Sequence, residues 1–173
     1  MSINHRMVMV DNQNGASAAA QIVVPELPAS FRNRIRGMGG SNVVLVIQKK
    51  LTQSDTGSQY DRFSMPEGQI MNDFLEAEEE ELLVDRNQPI HKVRLIHPCV
   101  SKVTNVTLRK GHMNNASTYN LSGTWRGTWH KQVVGDSENA LQDGTMVQLY
   151  AFRRRHKNIN ELCFALVNLD LFN

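Results

Sequence analysis

The sequence is poor in several features that would mark particular classes of protein. It has only two cysteines, Cys99 and Cys163, which lie far apart and outside any CxxC spacing, so neither a disulfide framework nor a paired-cysteine metal site is indicated. No run approaches the roughly 18 apolar residues of a membrane-spanning helix, and residues 7–10 are too few for the hydrophobic core of a signal peptide. We therefore expect a soluble, intracellular chain whose two cysteines are reduced, packed thiols.

Aromatic residues are also scarce, at 6% of a chain of 173 residues, but 40% of the residues are hydrophobic, which suffices for one packed core. Residues 1–24 include the small, polar run NQNGASAAAQ, which has no periodicity and predicts a disordered N-terminal tail. Residues 25–173 are predicted to form a single folded domain that includes a short N-terminal helix.

Acidic residues are absent from Gln88 to Gly135, although this stretch carries seven Lys or Arg residues. The twenty residues from Glu67 to Arg86 carry eight acidic residues and a single Arg, and the net charge of +2 conceals this separation. A basic stretch with strand periodicity favours a surface that meets a polyanion. Nucleic acid is the commonest such partner, because each neutralised phosphate releases condensed counterions. Chance clustering on a solvated surface is the alternative.

Seven segments of strand length predict the fold class. Each is either a continuous apolar run or alternates between apolar and polar residues. They lie at residues 43–47, 62–65, 91–96, 103–108, 118–121, 146–152 and 162–167. Short strands at regular spacing with two or three small helices favour a barrel or sandwich over a βαβ fold.

Helices and loops are predicted between these strands. A helix led by Pro28 is expected within residues 25–40, with Phe31 and Ile35 on one face. Residues 67–84 are predicted to form a second helix, whose glutamates at 76 and 78–81 make a solvated face. A third short helix is expected within residues 130–141, and residues 153–160 are predicted to be a basic hairpin loop.

Six segments, in this order along the chain, resemble the plant B3 DNA-binding domain. They are a Pro-led helix followed by Met-Gly-Gly (28–40), KKLTQSD (49–55), RFSMP (62–66), NNASTYNL (114–121), LQDG with QLYAFR (141–144 and 148–153), and LCFALV (162–167). The first and last of these are similar to one plant-specific subgroup. The resemblance covers about residues 25–169.

The resemblance implies an all-β fold with small helices, the seven-stranded open β-barrel called the DNA-binding pseudobarrel, which contacts duplex DNA from the major-groove side. In that family two loops flank the groove. Carried over to this chain, the first loop is Lys49–Arg62 and the second loop is Arg109–Ser117.

Candidate DNA contacts are the polar and basic side chains of these two loops. In the first loop they are Lys49, Lys50, Ser54, Ser58, Gln59, Tyr60 and Arg62; in the second loop they are Arg109, Lys110, His112, Asn114, Asn115 and Ser117. Four cations are expected on phosphates: Lys49, Lys50, Arg109 and Lys110. Base-edge contacts are expected from Arg62, Asn114, Asn115 and Ser117, since Arg pairs with guanine and Asn with adenine. Ordinary hairpin turns are the alternative for loops of this composition.

The chain departs from the family pattern in several places. Asp61 lies within the first loop, where a carboxylate would face phosphates at a Coulombic cost. Met113 replaces an aromatic residue, and Gly144-Thr145 replaces a Gly-Asp turn. Trp125 and Trp129 both compete for the family's Gly-Trp element, so we expect an insertion of a few residues nearby, with one Trp in the core and the other exposed.

No metal, cofactor or catalytic activity is expected. The histidines at 91, 97 and 112 lack the convergent spacing of zinc ligands, and no nucleophile motif, phosphate-binding loop or carboxylate pair accompanies His130. The resemblance therefore implies sequence-specific binding of double-stranded DNA by a nuclear transcriptional regulator of a plant. Duplex DNA and other transcriptional regulators are the expected partners, with no small-molecule substrate and no membrane.

Two other functions stay open at this point. One is a protein-interaction module with the same fold but no DNA affinity, which Asp61 and Met113 motivate. The other is a binder of single-stranded nucleic acid that uses Trp125 or Trp129 as a stacking platform. The DNA target motif, the direction of regulation, the oligomeric state and the role of residues 1–24 do not follow from the sequence.

Overall fold

The computed structural model describes residues 5–10, 20–113 and 116–172, and strands dominate it. The strands are β1 (His5–Val10), β2 (Ala20–Pro25), β3 (Gly40–Lys50), β4 (Arg62–Pro66), β5 (Ile90–Ile96), β6 (Val103–Met113), β7 (Ala116–Ser122), β8 (Met146–His156) and β9 (Ile159–Asn168). Seven of them form one sheet in the order β3-β8-β9-β5-β6-β7-β4. Neighbouring strands are antiparallel except β5 and β9, which are parallel. The seven predicted strands and the seven-stranded open sheet are confirmed.

Short helices connect the strands. They are α1 (Ala29–Gly37), α2 (Gln53–Thr56) and α3 (Ala77–Glu80), with 3₁₀ turns at Glu67–Gln69, Ser137–Asn139 and Leu169–Phe172 and π-helical turns at Glu81–Asp85 and His130–Val134. Helix α1 is confirmed at the position that Pro28 predicts. No helix within the described residues is long and apolar enough to cross a membrane.

The core has two parts because β8 and β9 are covered on both faces. Inside the curved sheet, side chains such as Phe63, Leu108 and Phe164 form the larger cluster. On the outer side, Phe31 of α1 packs with Phe152 and other side chains of β8 and β9. Two-sided burial explains why residues 162–167 form a continuous apolar run rather than an alternating one.

Helix α1 lies close against β3, and Gly40 makes this approach possible. A Cβ atom on Gly40 would lie 2.6 Å from Cγ2 of Ile35 and 2.7 Å from Cδ2 of Phe152. Any side chain at this position would push the helix away from the sheet. The glycine that follows the helix in the Met-Gly-Gly motif therefore has a packing role.

The predicted helix over residues 67–84 is wrong for its first half. Only α3 and the π-helical turn after it are helical beyond Gln69, and the segment from Ile70 to Glu76 is extended or irregular. The backbone N–H of Met71 donates to the carbonyl of Val46 (2.8 Å), and Nδ2 of Asn72 donates to the carbonyl of Leu45 (2.8 Å). This segment thus covers the unpaired edge of β3, and those hydrogen bonds replace the helical ones.

The predicted basic loop at residues 153–160 is also wrong. Strands β8 and β9 continue to a two-residue turn at Lys157 and Asn158, whose φ angles of 49° and 63° suit a tight hairpin. Arg153 is buried and donates to both carboxylate oxygens of Glu79 at 2.7 and 2.9 Å. Glu79 is therefore an ion-pair partner and not part of a solvated face.

A small hairpin lies within the predicted tail. Strands β1 and β2 pair antiparallel from His5↔Pro25 to Val10↔Ala20, a structure that the prediction of disorder over residues 1–24 did not include. The other tail residues lie outside the described part of the chain. The domain boundary near residue 25 stays a prediction.

The two cysteines are free but differ in environment. Cys163 is fully buried in the cluster beneath α1, and this burial raises the pKa of its thiol to about 11, so the thiolate that reacts with oxidants and metals is absent near neutral pH. Cys99 is half-buried. The expectation of a packed thiol therefore holds for Cys163 and not for Cys99.

His97 makes the stability of the fold dependent on pH. Its ring is fully buried, with Nε2 2.7 Å from Oγ1 of Thr104 and Nδ1 3.2 Å from Nδ2 of Asn139. The amide nitrogen can only donate, so Nδ1 accepts and Nε2 carries the proton. Burial lowers the pKa of His97 below its ordinary value of 6.5; the carboxylate of Asp136 acts in the opposite direction and Lys102 reinforces the lowering.

We predict that replacing His97 with Gln reduces the loss of stability in mild acid. Below pH 6.5 the unfolded chain binds a proton that the native chain does not, so the free energy of unfolding falls as the pH drops toward the lowered native pKa. Urea unfolding of the wild type and H97Q at about pH 7.5 and about pH 5.5 measures this. The exposed His91→Gln variant is the control. An equal pH dependence in H97Q and the wild type would contradict the assignment.

Candidate nucleic-acid interface

The outer face of β4, β7 and β6 is polar because side chains alternate along these strands. Phe63, Met65, Tyr119 and Leu121 point into the core, so their neighbours in sequence point outward. In the strand register, Arg62 lies beside Ser122, and Ser64 lies beside Asn120, which lies beside Arg109. The three strands contain no Asp or Glu.

The first and second loops lie at opposite ends of this face. The first loop ends at Arg62, which pairs with Ser122 at the end of β7, whereas the second loop turns at Met113 and Ala116, at the start of β7. The length of β7 separates the two ends by about 20 Å at the usual rise per residue. This exceeds the roughly 12 Å width of the B-DNA major groove, so the two loops can flank a groove with the polar face between them.

The buried carboxylate of Asp55 fixes the first loop. It accepts hydrogen bonds from the backbone N–H of Thr52 (2.9 Å), the hydroxyl of Thr52 (3.0 Å) and the backbone N–H of Ser64 (3.1 Å). It also forms an ion pair with Lys49 at 2.9 Å. The residues come from β3, α2 and β4, so these bonds join the two edges of the open sheet. A buried carboxylate requires such compensation.

Lys49 therefore has a different environment from the one expected of a phosphate contact. Its ammonium donates to the carbonyl of Ser64 (2.7 Å), pairs with Asp55 and lies 5.1 Å from the centre of the Phe63 ring. Its side chain is only 10% exposed. The lysine thus bridges β3 and β4 instead of projecting toward a ligand.

Lys110 is likewise turned away from the outer face. Its side chain is 9% exposed, with Nζ 3.4 Å from the Glu67 carboxylate and 4.9 Å from the Tyr119 ring centre. The sequence analysis grouped it with Arg109 as a phosphate contact, but consecutive residues of a strand point to opposite faces. Arg109 is exposed on the outer face and Lys110 is not.

The other predicted contacts lie at the surface or outside the described residues. Exposed are Lys50, Ser58, Gln59, Tyr60, Arg109 and His112; half-buried are Ser54, Arg62 and Ser117. Two of them are linked, since Oγ of Ser117 lies 2.9 Å from Nδ1 of His112. Asn114 and Asn115 lie outside the described residues, as does the side chain of Met113, and their contacts stay a prediction.

Asp61 is half-buried at the end of the first loop. It adopts a left-handed φ of 53°, which Asp tolerates better than most residues, and its Oδ1 accepts a 2.7 Å hydrogen bond from the backbone N–H of His130. The carboxylate thus binds the start of the π-helical turn. This contact fixes the direction of the Asp61 side chain, and the repulsion of phosphates by its carboxylate stays a prediction.

The two tryptophans divide as expected, one buried and one exposed. Trp129 is 1% exposed, packs on Phe63 and donates from Nε1 to the backbone carbonyl of Asp55 at 3.2 Å. Trp125 is 86% exposed at the tip of a tight turn in which Thr124 and Gly127 exchange two backbone hydrogen bonds of 3.0 and 3.1 Å. This turn lies where the sequence analysis expected an insertion.

Some buried polar atoms near this face have no hydrogen-bond partner within the described part of the chain. They are Nε of Arg62, Oδ1 of Asn120 and Oε1 of Gln132. An unsatisfied buried group costs about 1–3 kcal/mol, so these three side chains gain stability if they turn toward a partner. Sequence reasoning missed Asn120 and Gln132. The alternation of Thr118, Asn120 and Ser122 with core residues could have identified Asn120.

A groove continues from this face across β6 and β5. It encloses about 940 Å³ and is lined by polar and basic side chains together with the Trp125 turn. The basic members are His91, Lys92, Arg94, Arg109 and Arg126, and no Asp or Glu lines it. Four of the seven Lys and Arg residues in the acid-free stretch, Lys92, Arg94, Arg109 and Arg126, therefore share this groove. Among residues 5–10, 20–113 and 116–172, no group of three His, Cys, Asp or Glu is placed to hold a metal ion.

Comparison with known proteins gives two matches. A family model described as "B3 domain-containing protein At2g31720-like" matches residues 24–170. A solved chain from the "Arabidopsis FUS3-DNA complex" is 22% identical, covering 72% of this chain and 97% of that chain with a TM-score of 0.37. No curated protein matches the chain.

We predict that replacing Asp55 with Asn destabilises the protein by about 3–5 kcal/mol, because the buried ammonium of Lys49 loses its anion. Urea unfolding measures this, and Asp143→Asn at an exposed position of the chain is the matched control. A double variant with Lys49→Met should recover part of the loss, since no unpaired charge then remains. Equal stability of D55N and the wild type would show that the ion pair is dispensable.

Proposed function

Because the chain belongs to the B3 domain-containing At2g31720-like family, we propose that it binds double-stranded DNA sequence-specifically and regulates transcription in the nucleus of a plant cell. The two loops straddle the major groove, and the outer face of β4, β7 and β6 meets the duplex between them. The activity is binding without catalysis. Duplex DNA and other transcriptional regulators are its partners.

One observation carries the proposal: the face between the loops combines the exposed Arg109 and the half-buried Arg62 with polar groups that lack a partner in the described residues, and it has no acidic side chain. Arg62 and Arg109 supply positive charge, and Arg62 and Asn120 each have a buried polar atom without a partner in the described residues. Phosphates satisfy the cations, and base edges satisfy the directional polar groups. A surface for a neutral protein partner has no need of this charge pattern.

Individual side chains have separate roles in this proposal. Arg109 and Lys50 contact phosphates and set the register of the protein on the duplex. Arg62 reads guanine and Asn120 reads adenine. The major-groove edge of guanine matches a guanidinium group, and that of adenine matches an amide group. Asn114, Asn115 and Ser117 remain proposed base contacts of the second loop.

The remaining candidates line the edges of the two loops. They are Ser54, Ser58, Gln59, Tyr60 and His112, which we propose contact the sugar–phosphate backbone. The guanidinium of Arg62 lies 5.9 Å from the centre of the Tyr60 ring, so the aromatic ring orients a proposed base contact.

The structure bears on each of the two alternatives. A protein-interaction module was motivated partly by Asp61, but Oδ1 of its half-buried carboxylate accepts a hydrogen bond from the backbone N–H of His130, which holds the side chain against the π-helical turn. A single-strand binder needs an exposed stacking ring, and the burial of Trp129 leaves Trp125 for that role among the two tryptophans.

Selection of bound duplexes from a random pool at about 100 mM salt tests the proposed function. We expect enrichment of a short motif. Failure to bind any duplex even at low salt would favour the interaction module. A preference for single strands over the enriched duplex would favour the single-strand binder.

We predict distinct effects from replacing Arg109 and Asn120 with Ala. R109A weakens binding to every duplex and lowers the slope of log affinity against log salt by about 0.9, since one phosphate contact is lost. N120A costs about 1–3 kcal/mol against the enriched motif and relaxes the preference at one base position. Titrations against the motif and its single-base variants measure both effects.

Arg155→Ala is the matched control. Arg155 is exposed on β8, so its replacement removes one positive charge at a position away from β4, β6 and β7. An equal loss in R155A and R109A would mean that net charge and not the proposed face decides affinity. A uniform loss in N120A across all sequences would refute its role in base reading.

A further inference from the structure

We infer that the turn Thr124–Gly127 and the groove beside it form a third contact with duplex DNA, outside the first and second loops. In this contact Trp125 packs against deoxyribose and Arg126 pairs with a phosphate of the flanking backbone. The inference rests on the proposed function and extends the interface beyond the two loops that the family resemblance implies.

The exposure of Trp125 is the first observation. Its side chain is 86% exposed, although burial of a large apolar side chain is worth about 1.5–3 kcal/mol. A tryptophan combines a large contact area with few rotatable bonds, which favours it at interfaces. Trp125 therefore offers a contact that the isolated chain leaves unused.

The turn that carries Trp125 is held in place. A Cβ atom on Gly123 would overlap the carbonyl oxygen of Gly127, and one on Gly127 would lie 2.8 Å from Nε2 of Gln132. The backbone N–H of Arg126 also donates to the Thr124 hydroxyl at 3.3 Å. Close packing at both glycines fixes the turn on the body of the protein, so little conformational entropy is lost when a ligand binds.

The charge of the groove identifies the ligand as a polyanion. The turn faces His91, Lys92, Arg94 and Arg109 across a groove that no acidic side chain lines. The charged side chains Lys92, Arg94 and Arg109 come from two adjacent strands, so their fields add within one Debye length of about 8–10 Å. Gln132 lines the same groove, and its buried Oε1 has no partner among the described residues.

Continuity with the face between the loops identifies the polyanion as the same duplex. Arg109 belongs to both surfaces: it lies beside Asn120 in the strand register and also lines the groove. A duplex bound at Arg109 can therefore extend over the groove to the turn. No second nucleic acid is required.

The geometry of the turn favours sugar and phosphate over a stacked base. The guanidinium of Arg126 lies 4.9 Å from the centre of the Trp125 ring, which leaves one face of the indole for a ligand. Bases inside a duplex are stacked on each other and present only their edges, whereas deoxyribose and phosphate are accessible from outside. An indole beside a guanidinium matches the apolar sugar beside the charged phosphate.

Hydroxyl-radical footprinting and titration of the wild type, W125A, W125F and R126A on the duplex enriched from the random pool test the inference. We expect W125A to bind about tenfold more weakly, by loss of one buried aromatic side chain, and to lose protection on one flank only. W125F should restore most of both. R126A should lower the salt slope by about 0.9.

Ile159→Ala and Arg155→Ala are the controls. Ile159 is 64% exposed at the β8–β9 hairpin and tests the loss of an exposed apolar side chain elsewhere, while Arg155 tests the loss of charge. Both should leave affinity and footprint unchanged. Melting temperatures equal to that of the wild type would show that the variants are folded.

Three results would overturn the inference. The first is wild-type affinity and an unchanged footprint in W125A, which leaves the proposed function intact. The second is a larger loss for single strands than for the duplex in W125A, which would make Trp125 a base-stacking platform. The third is absence of duplex binding by the wild type, which removes the proposed function together with the inference.

Discussion

The buried carboxylate of Asp55 is the contact on which the arrangement of the open sheet depends. A sheet that does not close leaves two unpaired edges, here β3 and β4, which need hydrogen-bond partners or cover. Asp55 joins them by accepting from Ser64 on β4 and pairing with Lys49 on β3. Buried ion pairs add little net stability but can specify one arrangement. In this fold the ion pair between Asp55 and Lys49 specifies the position of the first loop relative to the sheet.

Pairing with carboxylates also decides which cations are available to a polyanion. Lys49, Lys110 and Arg153 each have a carboxylate partner and low exposure, so their charge serves the fold. Arg109 is exposed on the outer face and Arg126 at the neighbouring turn, without an ion pair among the described residues. Net charge is therefore a poor guide to the interface, because inward cations are already compensated. The alternation of side chains along a strand decides which cations point outward, so that even the adjacent residues Arg109 and Lys110 lie on opposite faces.

The spacing of apolar residues along the chain correctly predicted the seven strands of the sheet and helix α1, because these elements follow from local sequence. It was wrong at Ile70–Glu76, because apolar residues at helical spacing also suit an irregular segment, and hydrogen bonds from Met71 to the β3 edge decided between the two. The prediction was wrong at 153–160 because Arg153 occupies a buried position of strand β8, and a charged residue there suggests a loop in the sequence. The roles of Lys49 and Lys110 depend on partners distant in sequence, Ser64 and Glu67. Asn120 was within reach of prediction, since its neighbours Tyr119 and Leu121 have the alternation of a half-buried strand.

The departures from the family pattern near the first loop act together rather than separately. Asp61 accepts from the backbone of His130, and the backbone carbonyl of Asp55 accepts from the ring of Trp129. Two adjacent residues of one segment are thus bound to the middle and to the end of the first loop. The Trp125 turn directly precedes this segment, so its position is tied to the first loop through those bonds. An acidic residue within the loop and an additional tryptophan before the π-helical turn are therefore parts of one structure, which presents the loop and the turn in a fixed relation to each other.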